Sequence, residues 1–328
     1  MKKTYFITGG AGFIGTYLTA KLLKENNKVI VVDNFSTSSR SNIVDFLDNP
    51  DYKFIFSNIE NGKLIDDIAD KSDVIIHLAA AVGVKLIVDN PTLVLETNIF
   101  GSEIVYKAAL KYSRPILITS TSEVYGKGSR VPFSEDDDVV LGPTIHSRWA
   151  YGASKMIDEF LGLAYYNKFG LPVTIVRLFN TVGPGQSGQY GMVLPRFIQQ
   201  ALTNENITVF GSGTQTRCFC DVNDVVVAIL GLLNNPSSAG EIFNVGGNQE
   251  ISMLGLAKKV KEITKSSSNI VKIPYSKAYS EGFEDMQRRV PNVDKINKKI
   301  GWIQKNNLDE IIIDTVNYMK KKLGTDTN

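Results

Sequence analysis

Three features of this 328-residue chain predict an α/β fold: a doubly wound parallel sheet with a smaller lobe beside it. Short apolar runs alternate with stretches of helical period, the pattern of strands buried on both faces and joined by crossover helices. The first of those runs passes into a glycine loop that opens a helix. Finally, 43% apolar residues against 21% charged can bury one large core and a lesser one.

Taken in order, Lys2 to Thr8 is a β-branched and aromatic strand. It leads into Gly9-Gly10-Ala11-Gly12-Phe13-Ile14-Gly15 and then the helical pattern Tyr17, Leu18, Ala20, Leu22, Leu23. Gly9 permits a tight turn, Gly12 lets the backbone approach a pyrophosphate, and Gly15 lets helix and strand pack closely. Phe13 and Ile14 open a helix whose N–H groups face the phosphates. The next strand, Lys28 to Asp33, ends in an acid 18 residues past Gly15, where a carboxylate accepts adenine-ribose hydroxyls and repels a 2′-phosphate. NAD is therefore expected over NADP, with Arg40 as the counter-signal, and the fold is Rossmann-like. Further strands are expected at Phe54–Phe56, Val74–Leu78, Ile116–Thr119 and Val173–Arg177, and long helices at Thr92–Tyr112 and Ala150–Phe169. Arg114-Pro115 stops the first of these helices and Gly170-Leu171-Pro172 the second.

Tyr151-Gly152-Ala153-Ser154-Lys155 places a phenol and an amine one helical turn apart on one face. A tyrosine near its reference pKa of ~10 is a poor base at neutral pH, and a neighbouring ammonium favours the phenolate. The pair suits removal of a proton from a sugar hydroxyl.

Net charge +2 leaves no footprint for nucleic acid, and the lysine runs Lys298-Lys299 and Lys320-Lys321-Lys322 read as solvated helix faces. The apolar run around Val74–Val84 is too short to cross a bilayer, and Met1-Lys2-Lys3 leads into the cofactor strand rather than a cleavable signal. No nucleic-acid or membrane partner is expected, and the cytoplasm is the expected location. Cys218 and Cys220 are too few for a metal cage and read as reduced core thiols. His77 and His146 read as structural or surface residues rather than ligands, and Gly324–Asn328 as a frayed end.

With these stretches in view, nearly the whole chain resembles the extended short-chain dehydrogenase/reductase family, the NAD-dependent nucleotide-sugar epimerases, dehydratases and decarboxylases. The resemblance rests on the glycine loop, Asp73-Val74-Ile75-Ile76-His77-Leu78-Ala79-Ala80, Ile118 to Gly126, Tyr151 to Lys155, Arg177 to Pro184 and Gly211 to Arg217. It implies that Glu241–Gly247 returns to the cofactor sheet. The cofactor domain would then comprise residues 1–180 plus about 221–249, and a discontinuous α/β nucleotide-sugar lobe about 181–220 plus 250–328. It also implies a homodimer through a four-helix bundle built from the two long helices.

Residue by residue, the resemblance implies that Thr121 completes a triad with Tyr151 and Lys155, with Lys155 also on the nicotinamide ribose. Asn34, Leu78, Ala79 and Ala80 would line the cofactor site. Asn180 and Arg217 would meet the substrate diphosphate, and Arg289 would close over the phosphate or near a hexuronate carboxylate. Two departures stand out. Ser57-Asn58-Ile59 replaces a Gly-Asp-Ile/Leu pattern, so that Asn58 would accept from adenine N6. Gly183-Pro184-Gly185 has glycine where many relatives carry arginine.

All candidate reactions begin with a 4-ketose. Thr121-Ser122-Glu123 favours decarboxylation of a UDP-hexuronate of the glucuronate type to a UDP-pentose, because Glu123 can assist later proton transfer and a plain 4-epimerase needs no such group. Ser122 is a poor substitute for the acid a 4,6-dehydratase uses to expel a hydroxyl. A 4-epimerase, a 4,6-dehydratase and a non-catalytic dinucleotide sensor stay open at this point.

Overall fold

The computed structural model describes residues 2–188, 192–278 and 284–324. In chain order the elements are β1 Thr4–Thr8, α1 Phe13–Lys24, β2 Lys28–Asp33, β3 Tyr52–Phe56, α2 Gly62–Asp70, β4 Val74–His77, α3 Val84–Asp89, α4 Pro91–Lys111, β5 Ile116–Thr121 and α5 Ala150–Phe169. Then follow β6 Val173–Leu178, β7 Asn180–Val182, α6 Val193–Leu202, β8 Ile207–Phe210, β9 Thr216–Asp221, α7 Val222–Leu233 and β10 Glu241–Val245. The chain closes with β11 Glu250–Ser252, α8 Met253–Thr264, β12 Ile270–Ile273, α9 Tyr275–Ala278, β13 Arg288–Arg289, α10 Asp294–Ile300 and α11 Leu308–Leu323.

Seven strands form one parallel sheet in the order β3-β2-β1-β4-β5-β6-β10. Strand order reverses after β1, which opens a crevice at the carboxyl ends of β1 and β4. The late strand expected to return does so: β10 pairs with β6 in parallel, Glu241 opposite Thr174 and Val245 opposite Leu178. Alternation along β1 divides the core. Ile7 faces Leu18, Val31 and Val225 on the side of α1 and α7, whereas Phe6 faces Ile75, Val105 and Tyr106 on the side of α2, α4 and α5.

The helix boundaries follow local chemistry. Pro91 occupies the first turn of α4, where its missing N–H breaks no bond. Gly170 ends α5 in the left-handed region at φ 71°. Gly324 ends α11 in the same way, and residues 325–328 lie outside the described residues.

A second sheet runs β11-β9-β13 with β7 also on β9, and β8 pairs with β12. Its own core gathers Leu194 and Phe197 of α6, Val209 of β8, Phe219 of β9, Leu256 of α8 and Ile311 of α11. Cys218 and Cys220 are free and buried, and burial pushes the Cys218 thiol up to about 12. No helix among the described residues is long and apolar enough to cross a membrane.

Candidate active site

A cavity of about 630 Å³ opens at the carboxyl ends of the parallel strands and extends to the second sheet. At one end its wall is the glycine loop. Gly9 turns there at φ 69°, and a Cβ on it would lie 2.7 Å from the Ala79 backbone nitrogen, so only glycine fits between loop and β4. Gly12 caps α1 without a side chain, which leaves the first N–H groups of the helix, at Phe13, Ile14 and Gly15, to face the cavity.

Asp33 at the end of β2 is pinned. Its Oδ2 accepts from Ala11 N at 3.1 Å and its Oδ1 from Phe35 N and Ser38 Oγ at 2.8 and 2.9 Å. A carboxylate at this point repels a further phosphate. Leu78, Ala79, Ala80, Asn34 and Ile59 share the same wall. Asn58 does not: it is exposed, and its Oδ1 accepts from Asn34 Nδ2 at 2.7 Å.

Further in, Thr121 ends β5 and starts a short turn by accepting from Glu123 N at 3.2 Å. Tyr151 and Lys155 project from the first turns of α5 into this part of the cavity. Gly152 makes the approach possible, since a Cβ there would come within 2.9 Å of the Glu123 carbonyl oxygen. Ser122 and Glu123 are buried in the wall.

Glu123 is the hub of a charge cluster. Arg148 Nη2 lies 2.5 Å from its Oε2, and Arg289 Nη1 bonds its Oε1. Burial alone would raise the Glu123 acid, but Arg148 and Arg289 outweigh it and hold the carboxyl at about 2. Arg289 also donates from Nη2 to Asn180 Oδ1 at 2.8 Å. Arg217 bonds Asp285 at 2.6 Å and the carbonyl oxygens of Thr216 and Met286. Three guanidiniums against two carboxylates give this end of the cavity a positive balance suited to an anionic ligand.

The model of the NAD dependent epimerase/dehydratase family matches residues 5–246. The chain belongs to that family. It is 38% identical over 322 residues to UDP-N-acetyl-alpha-D-glucosaminuronate decarboxylase of Bacillus cytotoxicus, covering 98% of this chain and 99% of the relative. UDP-glucuronic acid decarboxylase 1 of Xenopus tropicalis is 34% identical over 327 residues, 100% of this chain and 74% of the relative. Among solved structures, the UDP-glucose 4-epimerase of Thermotoga maritima superposes with a TM-score of 0.87 at 30% identity, covering 98% of this chain and 99% of that one.

NAD is the cofactor of this epimerase/dehydratase family member, and the residues present fit it. The uncapped helix start, the narrow glycine turn and the pinned Asp33 lie along one wall that ends at Tyr151 and Lys155. One expectation needs correction. The Tyr151 phenol is not brought down in this arrangement, in which Lys155 Nζ lies 3.1 Å from Asp158 Oδ2. Burial first, and then the charge of Glu123, push the phenol well above its ordinary value, while Thr121 and Arg289 pull it the other way.

Sequence reasoning assigned no role to Arg148 or Asp158. The signals were present: an arginine three residues before the base, and an acid three residues after the lysine on the same helical face. His77 is wholly buried between Thr8 Oγ1 at 2.6 Å and Ser102 Oγ at 3.0 Å, which makes it structural as expected.

Proposed function

We propose that this chain decarboxylates a UDP-hexuronate of the glucuronate type to a UDP-pentose through a 4-keto intermediate. The observation that carries the reading is the juxtaposition of the Tyr151–Thr121 pair with the Arg148–Glu123–Arg289 cluster in one cavity. A base for a sugar hydroxyl thus adjoins guanidiniums that can receive a carboxylate, and two relatives that match 98% or more of this chain are named decarboxylases of UDP-hexuronates.

Gly9, Gly12 and the start of α1 would hold the diphosphate of NAD, Asp33 the adenine ribose and Lys155 the nicotinamide ribose. Bound there, NAD⁺ supplies a hydride acceptor, to which hydride is lent and from which it is recovered, and a positive charge that favours a nearby phenolate.

Tyr151 takes the proton of the C4 hydroxyl, with Thr121 orienting the same oxygen. The resulting C4 ketone makes the C5 carboxylate a β-keto acid. When the C5–C6 bond breaks, CO₂ leaves and the electron pair moves into the C4 oxygen, where donors from Tyr151 and Thr121 stabilise the enolate. C5 then takes a proton from water, and Tyr151 returns its own to the C4 oxygen as the alcohol is restored. Glu123, held as a carboxylate, acts here as an acceptor and as the anchor for Arg148 and Arg289. Asn180 and Arg217 would meet the diphosphate of the substrate.

Leu93 and Phe100 on α4 and Ile157 and Phe160 on α5 are exposed apolar side chains on two helices that pack together. They support a homodimer through a four-helix bundle. NAD recycling and two reduced thiols fit work in the cytoplasm.

The test is incubation of the purified protein and NAD⁺ with UDP-glucuronate, UDP-N-acetylglucosaminuronate, UDP-glucose and dTDP-glucose, followed by product mass. Loss of CO₂ from a hexuronate is expected. Turnover of a neutral hexose with unchanged mass would replace this reading by 4-epimerisation, and loss of water by dehydration.

A further inference from the structure

Lys155 has a counter-ion that the reaction scheme does not use. Both partners of the Lys155–Asp158 pair are almost completely enclosed, at 2% and 0% side-chain exposure. The neighbouring acid cannot substitute for Asp158. Glu159 is taken by the Arg177 guanidinium, which grips it at 2.9 and 2.7 Å, and by Ser120 at 2.5 Å. Tyr106 of α4 fixes the same turn by donating to the Asp158 carbonyl oxygen at 2.9 Å.

Behind Asp158 runs a polar chain through the core. Burial raises the Asp158 acid, while Lys155 and then the Ser102 hydroxyl of α4 favour its ionised form; Ser102 Oγ lies 3.0 Å from His77 Nε2, and His77 Nδ1 is 2.6 Å from Thr8 Oγ1. Thr8 in turn accepts from Ala79 N at 3.3 Å, in the cavity wall. Asp158 Oδ1 has no aligned hydrogen-bond partner among the described residues. An enclosed carboxylate left half-satisfied is costly unless its charge is needed.

We propose that Asp158 is a positioning residue for the base, fixing the Lys155 amine one helical turn from Tyr151, with Ser102 and His77 holding Asp158 in turn. This rests on the reading of Tyr151 and Lys155 as base and partner. The Asp158 charge also disfavours a phenolate at the enclosed Tyr151. Asp158 therefore acts on the limb of the pH profile that reports the base.

The other groups facing the pair leave this charge undiluted. Arg177 neutralises Glu159, and Arg148 and Arg289 neutralise Glu123. Burial keeps His77 and Tyr106 neutral.

The experiment compares the pH dependence of turnover of UDP-glucuronate, with NAD⁺ present, for wild type, Asp158→Asn, Asp158→Glu and Ser102→Ala. In parallel, the Tyr151 phenol of the NAD⁺-loaded protein is titrated by ultraviolet difference, with Tyr151→Phe subtracted to remove the other tyrosines. Asp158→Asn is expected to move the acid limb, and the phenol titration, about one pH unit lower. Asp158→Glu should restore them, and Ser102→Ala should move them the same way by less. A profile that falls in height with its acid limb and the phenol titration unmoved would overturn the proposal. Should Asp158→Asn not fold, Ser102→Ala decides alone, and an unmoved acid limb there counts against the proposal. A wild-type protein inactive on UDP-glucuronate would sink the reaction assignment, while the phenol titration would still judge Asp158.

Discussion

Glu123 and Arg289, 166 residues apart in the chain, meet in a partly buried ion pair that ties the turn after β5 to β13. The contact joins the turn after β5, which lies against α5, to the second sheet, which carries Arg217 and Arg289. It also keeps Arg289 poised beside Asn180.

Replacing Glu123 with Gln keeps the shape and removes the charge that Arg148 and Arg289 share. Two guanidiniums that lose their shared carboxylate should lower stability by about 3 kcal/mol. Oxidation at C4, followed as NADH absorbance in a single turnover, should persist, while overall pentose formation slows by about 10²-fold. Pentose formation at the wild-type rate would remove Glu123 from the later steps.

Tyr151→Phe deletes only the phenolic oxygen. Turnover should fall by about 10³-fold, while NAD⁺ affinity measured by calorimetry stays nearly unchanged, since Tyr151 is one of many groups on the cofactor wall. A variant with normal rates would end the assignment of the base.

His77 predicts a pH dependence of stability. Burial, reinforced by the Lys155 charge, holds its pKa at about 3, against ~6.5 when unfolded. Between those values the unfolded chain binds a proton that the folded one does not. This contribution is therefore complete above pH ~6.5 and is lost as pH falls toward 3, with a slope approaching about 1.4 kcal/mol per pH unit. Denaturant midpoints at pH 5 to 6.5, above most carboxylate titration, should show this slope in the wild type and lose it in His77→Asn. An equal slope in both would contradict the buried neutral imidazole.

The proposed dimer face gives a simple test. Phe160 is 66% exposed on α5 and takes no part in the cavity, so Phe160→Glu should convert a dimer to a monomer in sedimentation without unfolding it. A wild-type monomer would exclude the helix-bundle assembly.

Much of this was legible in the sequence because it is local. A strand, a glycine loop, a helix and a terminal acid lie within Thr4 to Asp33, and the helical spacing of Tyr151 and Lys155 puts both on one face. Non-local facts were not legible. The partners of Glu123 come from a turn before α5 and from β13, and no periodicity connects them. The direction of the Tyr151 shift depended on enclosure and on the Glu123 charge, neither of which a spacing rule reports. Asn58 illustrates the same limit: its motif position suggested adenine contact, yet its amide oxygen already accepts from Asn34.

The most direct measurement of the central claim follows carbon rather than cofactor. UDP-glucuronate labelled at C6 is incubated with the protein and NAD⁺, and released CO₂ is counted against UDP-pentose formed. One labelled CO₂ for each pentose, with none released by Tyr151→Phe, is the predicted result. Label retained in a nucleotide sugar that the protein has nevertheless altered would contradict it.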